Sequence, residues 1–217
     1  MTEIQKDYQK DIKKIIIISP SEVDKASFIK KVFKNYSGDY IHGEDKIEYL
    51  FKDNEKEINI PVFDICQWQR FPDYLHSINF NSSVVILVYA IDIHYSLFQI
   101  KITSQIIKND NPKNCKYILL GIKNMKGSER EISRDSGEEI LEKNELDAFF
   151  EISDENDNID NCKAVFEKAA EILLKEENEK NEENGKSEKN ENNENNKKNE
   201  NKEKNKKNKK KCHGCFN

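Results

Sequence analysis

Short, wholly apolar runs alternate along the chain with longer stretches in which apolar residues recur every three or four positions. The run Ile15–Ile18 is β-branched and unbroken, which is typical of a strand buried on both faces of a parallel sheet. The turn at Asp53–Lys56 predicts a hairpin, and therefore one antiparallel strand. The pattern as a whole predicts a doubly wound, mostly parallel α/β sheet that binds ligands at the carboxyl ends of its strands. The predicted strands are Ile15–Ile18, Lys46–Phe51, Glu57–Phe63, Ser83–Tyr89, Tyr117–Gly121 and Ala148–Ile152, and the predicted helices are Ser27–Phe33, Ser96–Ile107, Ser136–Leu146 and Asn161–Lys175.

The composition changes abruptly near Lys175. Beyond it the chain is almost entirely Asn, Lys and Glu, which cannot bury enough apolar surface to offset the entropy lost on folding. We therefore expect a flexible N-terminal arm, one folded domain, a disordered hypervariable tail with a polybasic end, and a short Cys-containing terminus. Their bounds are 1–12, 13–175, 176–211 and 212–217.

Charge and cysteine usage narrow the class of protein. The net charge of -5 combines an acidic folded part with a strongly basic segment at Lys202–Lys211. No aromatic residues lie within that segment, so we expect no specific nucleic-acid recognition. The chain has neither a secretory leader pattern nor an apolar run long enough to span a bilayer, so its five cysteines are expected to be reduced.

The segment from Ser19 to Ser27 has the layout of a phosphate-binding loop between a strand and a helix. The pattern G-x-x-x-x-G-K-[ST] places Lys25 on its lysine, but Ser19 and Asp24 on its glycines and Ala26 on its hydroxyl. Such a loop works because successive backbone N–H groups point together at the anion. Pro20 lacks an N–H group altogether.

Two interpretations of this loop remain open. In the first, Glu22 and Asp24 lie in the first turn of the helix and complement its dipole, as a bound phosphate would, by about 0.3–1 kcal/mol each. Lys25 then pairs with Glu22, Asp24 or Asp64. In the second, Lys25 contacts a phosphate.

Four later segments carry a resemblance to a known family. They match, in order and spacing, the family sequences I-W-D-T-A-G-Q-E-R-F, L-L-V-Y-D-I-T-D, I-L-V-G-N-K-C-D and F-F-E-T-S-A-K. The chain resembles the Ras-superfamily small GTPases, and most of all the Rab family, from about Lys13 to Lys175. The matching segments are Val62–Phe71, Val85–Asp92, Ile118–Met125 and Phe149–Glu155.

The resemblance implies a small-GTPase fold that binds GTP or GDP with Mg²⁺. Asp64 matches the residue that holds Mg²⁺ through a water, while Trp68 takes the place of the residue that orients the attacking water. Indole has one donor and no acceptor, so low or no GTPase activity is expected. The implied nucleotide-binding positions are Ser21, Glu22, Val23, Asp24, Lys25, Ala26, Ser27, Asp64, Gln67, Ile122, Lys123, Met125, Ser153, Asp154 and Glu155. The implied switch and effector surface is Tyr40, Ile41, His42, Gly43, Gln67, Trp68, Gln69, Arg70 and Phe71.

The positions that read the guanine base in the family carry unusual residues. The family's aspartate accepts two hydrogen bonds from the base, and Met125 in its place has no such acceptor. Ile122 replaces the family's asparagine, and only Lys123 matches. In the last box Ser153 matches, while Asp154 and Glu155 do not. The loss of a charge-assisted hydrogen bond typically costs a few kcal/mol, so several together predict weak or no nucleotide binding.

The end of the chain is similar in plan to Rab termini, which receive geranylgeranyl groups on cysteine. A lipid at Cys212 or Cys215, supported by the basic segment, would bind the anionic cytosolic face of an internal membrane. This requires the prenylation machinery as a partner. Two alternatives remain open: a bare solvated basic tail, and metal binding by Cys212, His213 and Cys215, which make only half a zinc site.

Three functions follow from these features. The preferred one is a Rab-like pseudo-GTPase that acts in vesicle traffic at an endomembrane and presents a fixed surface to effector or trafficking proteins. The alternative is a functional GTP/GDP switch with non-standard boxes. The third, an enzyme with a different nucleotide, has no residue in its favour.

Overall fold

A computed structural model of the chain describes residues 12–33, 44–53, 56–65, 75, 78–81, 83–110, 115–125, 127–152 and 159–175. Nearly all of them belong to the first of two units, Met1–Leu173. No helix among these residues has the length and hydropathy needed to cross a membrane. The elements are β1 (Lys14–Ile18), α1 (Lys25–Val32), β2 (Glu44–Asp53), β3 (Lys56–Ile65), β4 (Ser83–Ala90), α2 (His94–Asp110), β5 (Cys115–Ile122), α3 (Arg134–Lys143), β6 (Ala148–Ile152) and α4 (residues 159–175).

The six strands form one sheet in the order β2-β3-β1-β4-β5-β6. β1 pairs in parallel with both β3 and β4, and the pairs β4–β5 and β5–β6 are also parallel. The pair β2–β3 is antiparallel. This confirms the predicted doubly wound sheet with one antiparallel hairpin strand. Because the chain leaves β1 at the point where the strand order reverses, the loop after β1 lies where α/β sheets bind ligands.

The four isoleucines of β1 divide between two hydrophobic layers. Ile15 and Ile17 pack on the face covered by α1 and α4, while Ile16 and Ile18 pack on the face covered by α2. All four are fully buried. The unbroken apolar run therefore reflects a strand with helices on both sides, as the sequence predicts.

The predicted elements are confirmed, but the ends of the helices differ from the prediction. α1 begins at Lys25 instead of Ser27, and α3 runs from Arg134 to Lys143 instead of Ser136 to Leu146. In both cases a side chain caps the helix earlier than the apolar pattern indicates. For α3 the cap is Ser133, whose hydroxyl accepts a hydrogen bond from the Ser136 N–H at 3.2 Å.

The hairpin strands and several other elements are also longer than predicted. β2 and β3 each have ten residues, because the antiparallel ladder continues from Asp53 opposite Lys56 to Glu44 opposite Ile65. α2 extends the predicted helix Ser96–Ile107 to His94–Asp110, and α4 begins at residue 159. Backbone pairing extends past the apolar residues from which the elements are recognised.

A glycine sets the packing of β4 against β5 near their carboxyl ends. A Cβ atom on Gly121 would lie 2.7 Å from Tyr89 Oη, and an atom cannot approach that closely. The Tyr89 side chain is fully buried, and burial together with the charge of Glu151 raises the pKa of its hydroxyl. Gly121 therefore leaves the room that the tyrosine ring needs beside the loops that follow these two strands.

Candidate functional site

The loop between β1 and α1 forms hydrogen bonds within itself. The Val23 N–H donates to the Pro20 carbonyl at 3.1 Å, and the Lys25 N–H donates to the Val23 carbonyl at 2.9 Å. A phosphate-binding loop instead directs successive N–H groups at the anion. Two of the N–H groups expected to face a phosphate are thus used inside the loop.

Asp24 caps the N-terminus of α1. Its Oδ1 accepts a hydrogen bond from the Ser27 N–H at 3.2 Å, and its Oδ2 accepts one from the Ser27 hydroxyl at 2.5 Å. The prediction that Glu22 and Asp24 lie in the first helical turn is wrong, because the helix begins at Lys25 and its first turn has no acidic residue. Asp24 nevertheless places a negative charge where a helix N-terminus attracts an anion.

Lys25 forms a buried ion pair with Asp64. The lysine Nζ lies 2.9 Å from Asp64 Oδ1, and the two side chains are only 3% and 1% exposed. Nζ also donates to the Ile65 carbonyl at 2.5 Å. Of the three acidic partners predicted for Lys25, the structure selects Asp64, which lies on the strand next to β1. The ammonium group of Lys25 is therefore bonded to two residues of β3.

Asn124 joins this loop to the loop that follows β5. Its Oδ1 accepts a hydrogen bond from the Asp24 N–H. Its Nδ2 donates to the Glu22 carbonyl at 3.0 Å. A single amide side chain thus satisfies a donor and an acceptor of the β1–α1 loop from across the carboxyl edge of the sheet. We call the contacts of Asn124 with Asp24 and Glu22 the amide clamp.

Asp92 holds the loop that carries the amide clamp. Its carboxylate accepts hydrogen bonds from the backbone N–H groups of Asn124 at 2.9 Å and Met125 at 2.8 Å, and from the Ser128 hydroxyl. Burial alone would raise the pKa of Asp92, but these hydrogen bonds to the charged form outweigh it and lower the pKa below its ordinary value. Asp92 is 5% exposed.

Neither Asn124 nor Asp92 was predicted as a site residue. Asp92 appears in the sequence only as the last residue of a segment similar to the family. The available signal was the position of the two residues in the chain. Each lies two residues after the end of a buried parallel strand, and such positions meet at one edge of a sheet.

Comparison with known proteins identifies the family. The model of the Ras family matches residues 14–175. Ras-related protein Rab-3 from Caenorhabditis elegans is 29% identical over 164 residues, which cover 74% of this chain and 73% of that protein. Ras-related proteins Rab-3C from Bos taurus and Mus musculus are each 30% identical over 170 residues, 76% of this chain and 73% of theirs. The chain belongs to the Ras family. Within that superfamily of small GTPases it is most similar to Rab proteins.

Family resemblance implies that a Rab-like protein binds GTP or GDP with Mg²⁺, but the base-reading positions here do not fit a guanine. Ile122 is 4% exposed and ends β5, with its backbone paired to Ala90 and Ile152. Met125 is 57% exposed and offers no carboxylate. Lys123 is half-buried, and its N–H donates to the Ile152 carbonyl at 3.1 Å.

The phosphate and magnesium positions do not fit either. Ala26 is buried and has no hydroxyl for a metal, while the neighbouring Ser27 hydroxyl donates to Asp24. Asp64 is held by the Lys25 ammonium group, which in turn is directed at the protein. Ser21 is exposed, and its hydroxyl donates to Glu22 Oε2 at 3.3 Å. The groups at these positions bind one another.

The remaining predicted residues lie outside the residues that the structure describes, so their predictions stay predictions. They comprise the switch and effector positions, the last nucleotide box and the terminal cysteines. These residues are Tyr40, Ile41, His42, Gly43, Gln67, Trp68, Gln69, Arg70, Phe71, Ser153, Asp154, Glu155, Cys212, His213 and Cys215.

Proposed function

We propose that this protein is a Rab-like pseudo-GTPase, which keeps the small-GTPase fold in one conformation without a bound nucleotide. One observation carries the proposal: the groups that would bind the phosphates are bonded within the protein. The N–H groups of Val23, Asp24 and Lys25 donate to protein oxygens, and the Lys25 ammonium group binds Asp64 and the Ile65 carbonyl.

Charge at the loop supports the same conclusion. Asp24 and the exposed Glu22 place two carboxylates beside the position of a phosphate, where like charges repel. To bind, a nucleotide would have to break the amide clamp and the Lys25 ion pair as well as overcome this repulsion. Each 1.4 kcal/mol lost in this way lowers affinity about tenfold.

Hydrolysis is also disfavoured by the residue at the catalytic position. Trp68 stands where hydrolysing relatives carry the side chain that orients the attacking water. An indole N–H can donate one hydrogen bond and accept none, so it cannot align a water as an amide does. Loss of binding and loss of hydrolysis are therefore expected together.

The nucleotide content of the purified full-length chain tests this proposal. The protein is denatured after purification without added nucleotide, and the released material is separated by chromatography. We expect less than a few per cent of a molar equivalent of GDP or GTP. A protein that binds nucleotide tightly would instead retain close to one equivalent through purification. A near-stoichiometric amount of either nucleotide would favour the alternative, a functional switch with non-standard boxes.

We further propose that the protein acts in vesicle traffic as a scaffold on the cytosolic face of an endomembrane. Its similarity to Rab proteins supports effector or trafficking proteins as partners of Tyr40–Gly43 and Gln67–Phe71. The basic segment Lys202–Lys211 suits an anionic membrane, since each lysine near such a surface contributes about 1 kcal/mol.

We propose geranylgeranyl groups at Cys212 or Cys215 as the second membrane signal, because one weak signal anchors a protein only marginally. The intact mass of the full chain after expression in a eukaryotic cell is expected to show one or two added isoprenoid groups. The variant Cys212→Ser/Cys215→Ser is the control and should show none. An unmodified mass for the wild-type chain would remove the lipid anchor.

A further inference from the structure

The outer strand of the sheet borders an open groove. β2 pairs with β3 on one side and is the last strand of the sheet that the described strands form. An edge with which no described strand pairs offers a row of backbone N–H and C=O groups to another strand. The groove is about 600 Å³ and runs along this edge between the end of α1 and α4. It is lined by Val32, Phe33, Glu48, Tyr49, Leu50, Phe51, Lys52, Lys163, Glu167 and Glu171.

The exposed face of β2 is complementary to a second copy of itself. Glu48, Leu50 and Lys52 alternate along one face of the strand, and all three are exposed. When two such strands pair antiparallel around Leu50, each Glu48 lies opposite the Lys52 of the other copy. The two Leu50 side chains, each 47% exposed in the single chain, then lie against each other at the axis.

The opposite face of the strand is matched in the same register. Tyr49 of one copy lies opposite Phe51 of the other, which places aromatic side chains together on both sides of the axis. Tyr49 already packs against Phe33 and Phe166, with ring centroids 6.0 and 5.5 Å apart. The added pairs therefore extend an existing aromatic cluster.

The row of charges that α4 presents to the groove has the same symmetry. Lys163, Glu167 and Glu171 are spaced four residues apart along the helix. A twofold axis perpendicular to the sheet makes the two α4 helices antiparallel, so that Lys163 of each copy lies toward Glu171 of the other. Glu167 is the centre of this row and interacts electrostatically with Tyr49, next to the centre of the strand register. The same axis also brings the two Glu167 carboxylates toward each other, so the α4 row favours the antiparallel arrangement at its ends and opposes it at its centre.

We propose that β2 is a self-association edge, through which two copies of this chain join their sheets antiparallel around Leu50. This surface gives the symmetric contact of a twofold dimer, in which residue i meets residue j and j meets i. The proposal does not depend on the absence of nucleotide, because β3 separates β2 from β1 in the sheet and the edge shares no residue with the β1–α1 loop.

The dimer is expected to be weak. Lys52 already pairs with Glu57 at 3.1 Å, and Glu171 pairs with Lys168 at 3.4 Å, so the intermolecular charge pairs share partners that the single chain has. One strand edge and a few side chains also bury less than the roughly 800 Å² per partner of a stable interface. The charge pairs therefore set the register more than the affinity.

Sedimentation of the full chain over concentrations from about 1 µM to about 1 mM tests the proposal. The weight-average mass is expected to rise from monomer to dimer. Leu50→Lys places two ammonium groups at the axis and should weaken dimerisation at least about tenfold, since it opposes like charges where two leucines would otherwise be in contact. Phe98→Lys is the matched control, because Phe98 is 51% exposed on α2 and should leave dimerisation unchanged.

A charge exchange tests the register. Glu48→Lys places a lysine opposite Lys52 in each pair and should weaken the dimer. The triple variant Glu48→Lys/Lys52→Glu/Glu57→Lys reverses the pairs, keeps opposite charges at positions 52 and 57 within each chain, and should restore the dimer. A chain that stays monomeric at every concentration would overturn the proposal, whether or not another protein binds this edge. So would a dimer that tolerates Leu50→Lys, or a triple variant whose dimer is no stronger than that of Glu48→Lys alone.

Discussion

Replacement of Lys25 by methionine should lower the free energy of unfolding by about 3–5 kcal/mol. The substitution removes the ammonium partner of Asp64, whose side chain is 1% exposed. It also removes the donor to the Ile65 carbonyl. A buried carboxylate that loses its ammonium partner costs far more than a lost surface contact, so the effect should be visible as a drop in melting temperature of roughly 10 °C. Urea denaturation followed by circular dichroism measures the free energy directly.

The double variant Lys25→Met/Asp64→Leu separates the ion pair from the fold around it. Replacement of both partners by apolar groups of similar size is often close to neutral, so most of the lost stability should return. A lysine poised for phosphate would instead be nearly dispensable for stability in the empty protein. A loss below about 1 kcal/mol for the single variant would therefore contradict the structural role given to Lys25.

Asp92→Asn should destabilise the protein by about 1.5–3 kcal/mol at neutral pH. The amide keeps the shape of the carboxylate but removes its charge, and its NH₂ group cannot accept the hydrogen bonds that Met125 and Ser128 now donate. Because Asp92 holds the loop of Asn124, amide hydrogen exchange should also speed up at Asp24, whose N–H belongs to the amide clamp.

The contribution of Asp92 should depend on pH in a defined direction. Its folded-state pKa is lowered from the ordinary value of 3.8, because its hydrogen bonds favour the charged form by more than burial disfavours it. A lowered pKa gives stability that is fully present above the unfolded-state pKa and is lost as the pH falls through the folded-state pKa. The stability difference between wild type and Asp92→Asn should thus shrink in acid. A difference that stays constant through the carboxyl range would contradict this assignment.

The fold is largely predictable from the sequence because burial on two faces leaves a clear local signature. Ile15–Ile18 and Val84–Ala90 are unbroken apolar runs, and both lie in central parallel strands. Helix ends are harder to predict, since one polar side chain decides them. Asp24 and Ser133 each capped a helix before its apolar pattern begins.

The site is less predictable because its contacts join residues far apart in the chain. Asp64 was one of three acidic partners expected for Lys25. Only the pairing of β1 with β3 places Asp64 next to the end of β1, and the sequence pattern does not show that contact. The amide clamp joins Asn124 to Asp24, which lie 100 residues apart in the sequence. No local pattern marks an asparagine for such a contact. Its role becomes visible only when parallel strands bring their carboxyl ends to one edge.

The missing nucleotide-binding residues and the contacts within the protein at those positions both indicate a fold without a bound nucleotide. A sequence comparison shows which family groups are missing, whereas the structure describes what takes their place. The cap by Asp24, the ion pair of Lys25 with Asp64 and the amide clamp together hold the two loops that a nucleotide would otherwise bridge. We therefore expect a fold that is stable without nucleotide and does not bind one.

The melting temperature of the full chain with and without excess GDP or GTP and Mg²⁺ tests this claim most directly. A ligand at about 100 times its dissociation constant adds roughly 2.7 kcal/mol of stability, or about 5–10 °C for a domain of this size. A nucleotide-binding Ras-family protein, stripped of its nucleotide and measured in parallel, provides the positive control. We predict a melting temperature that does not change with nucleotide. A rise of several degrees with millimolar GDP or GTP would contradict the account.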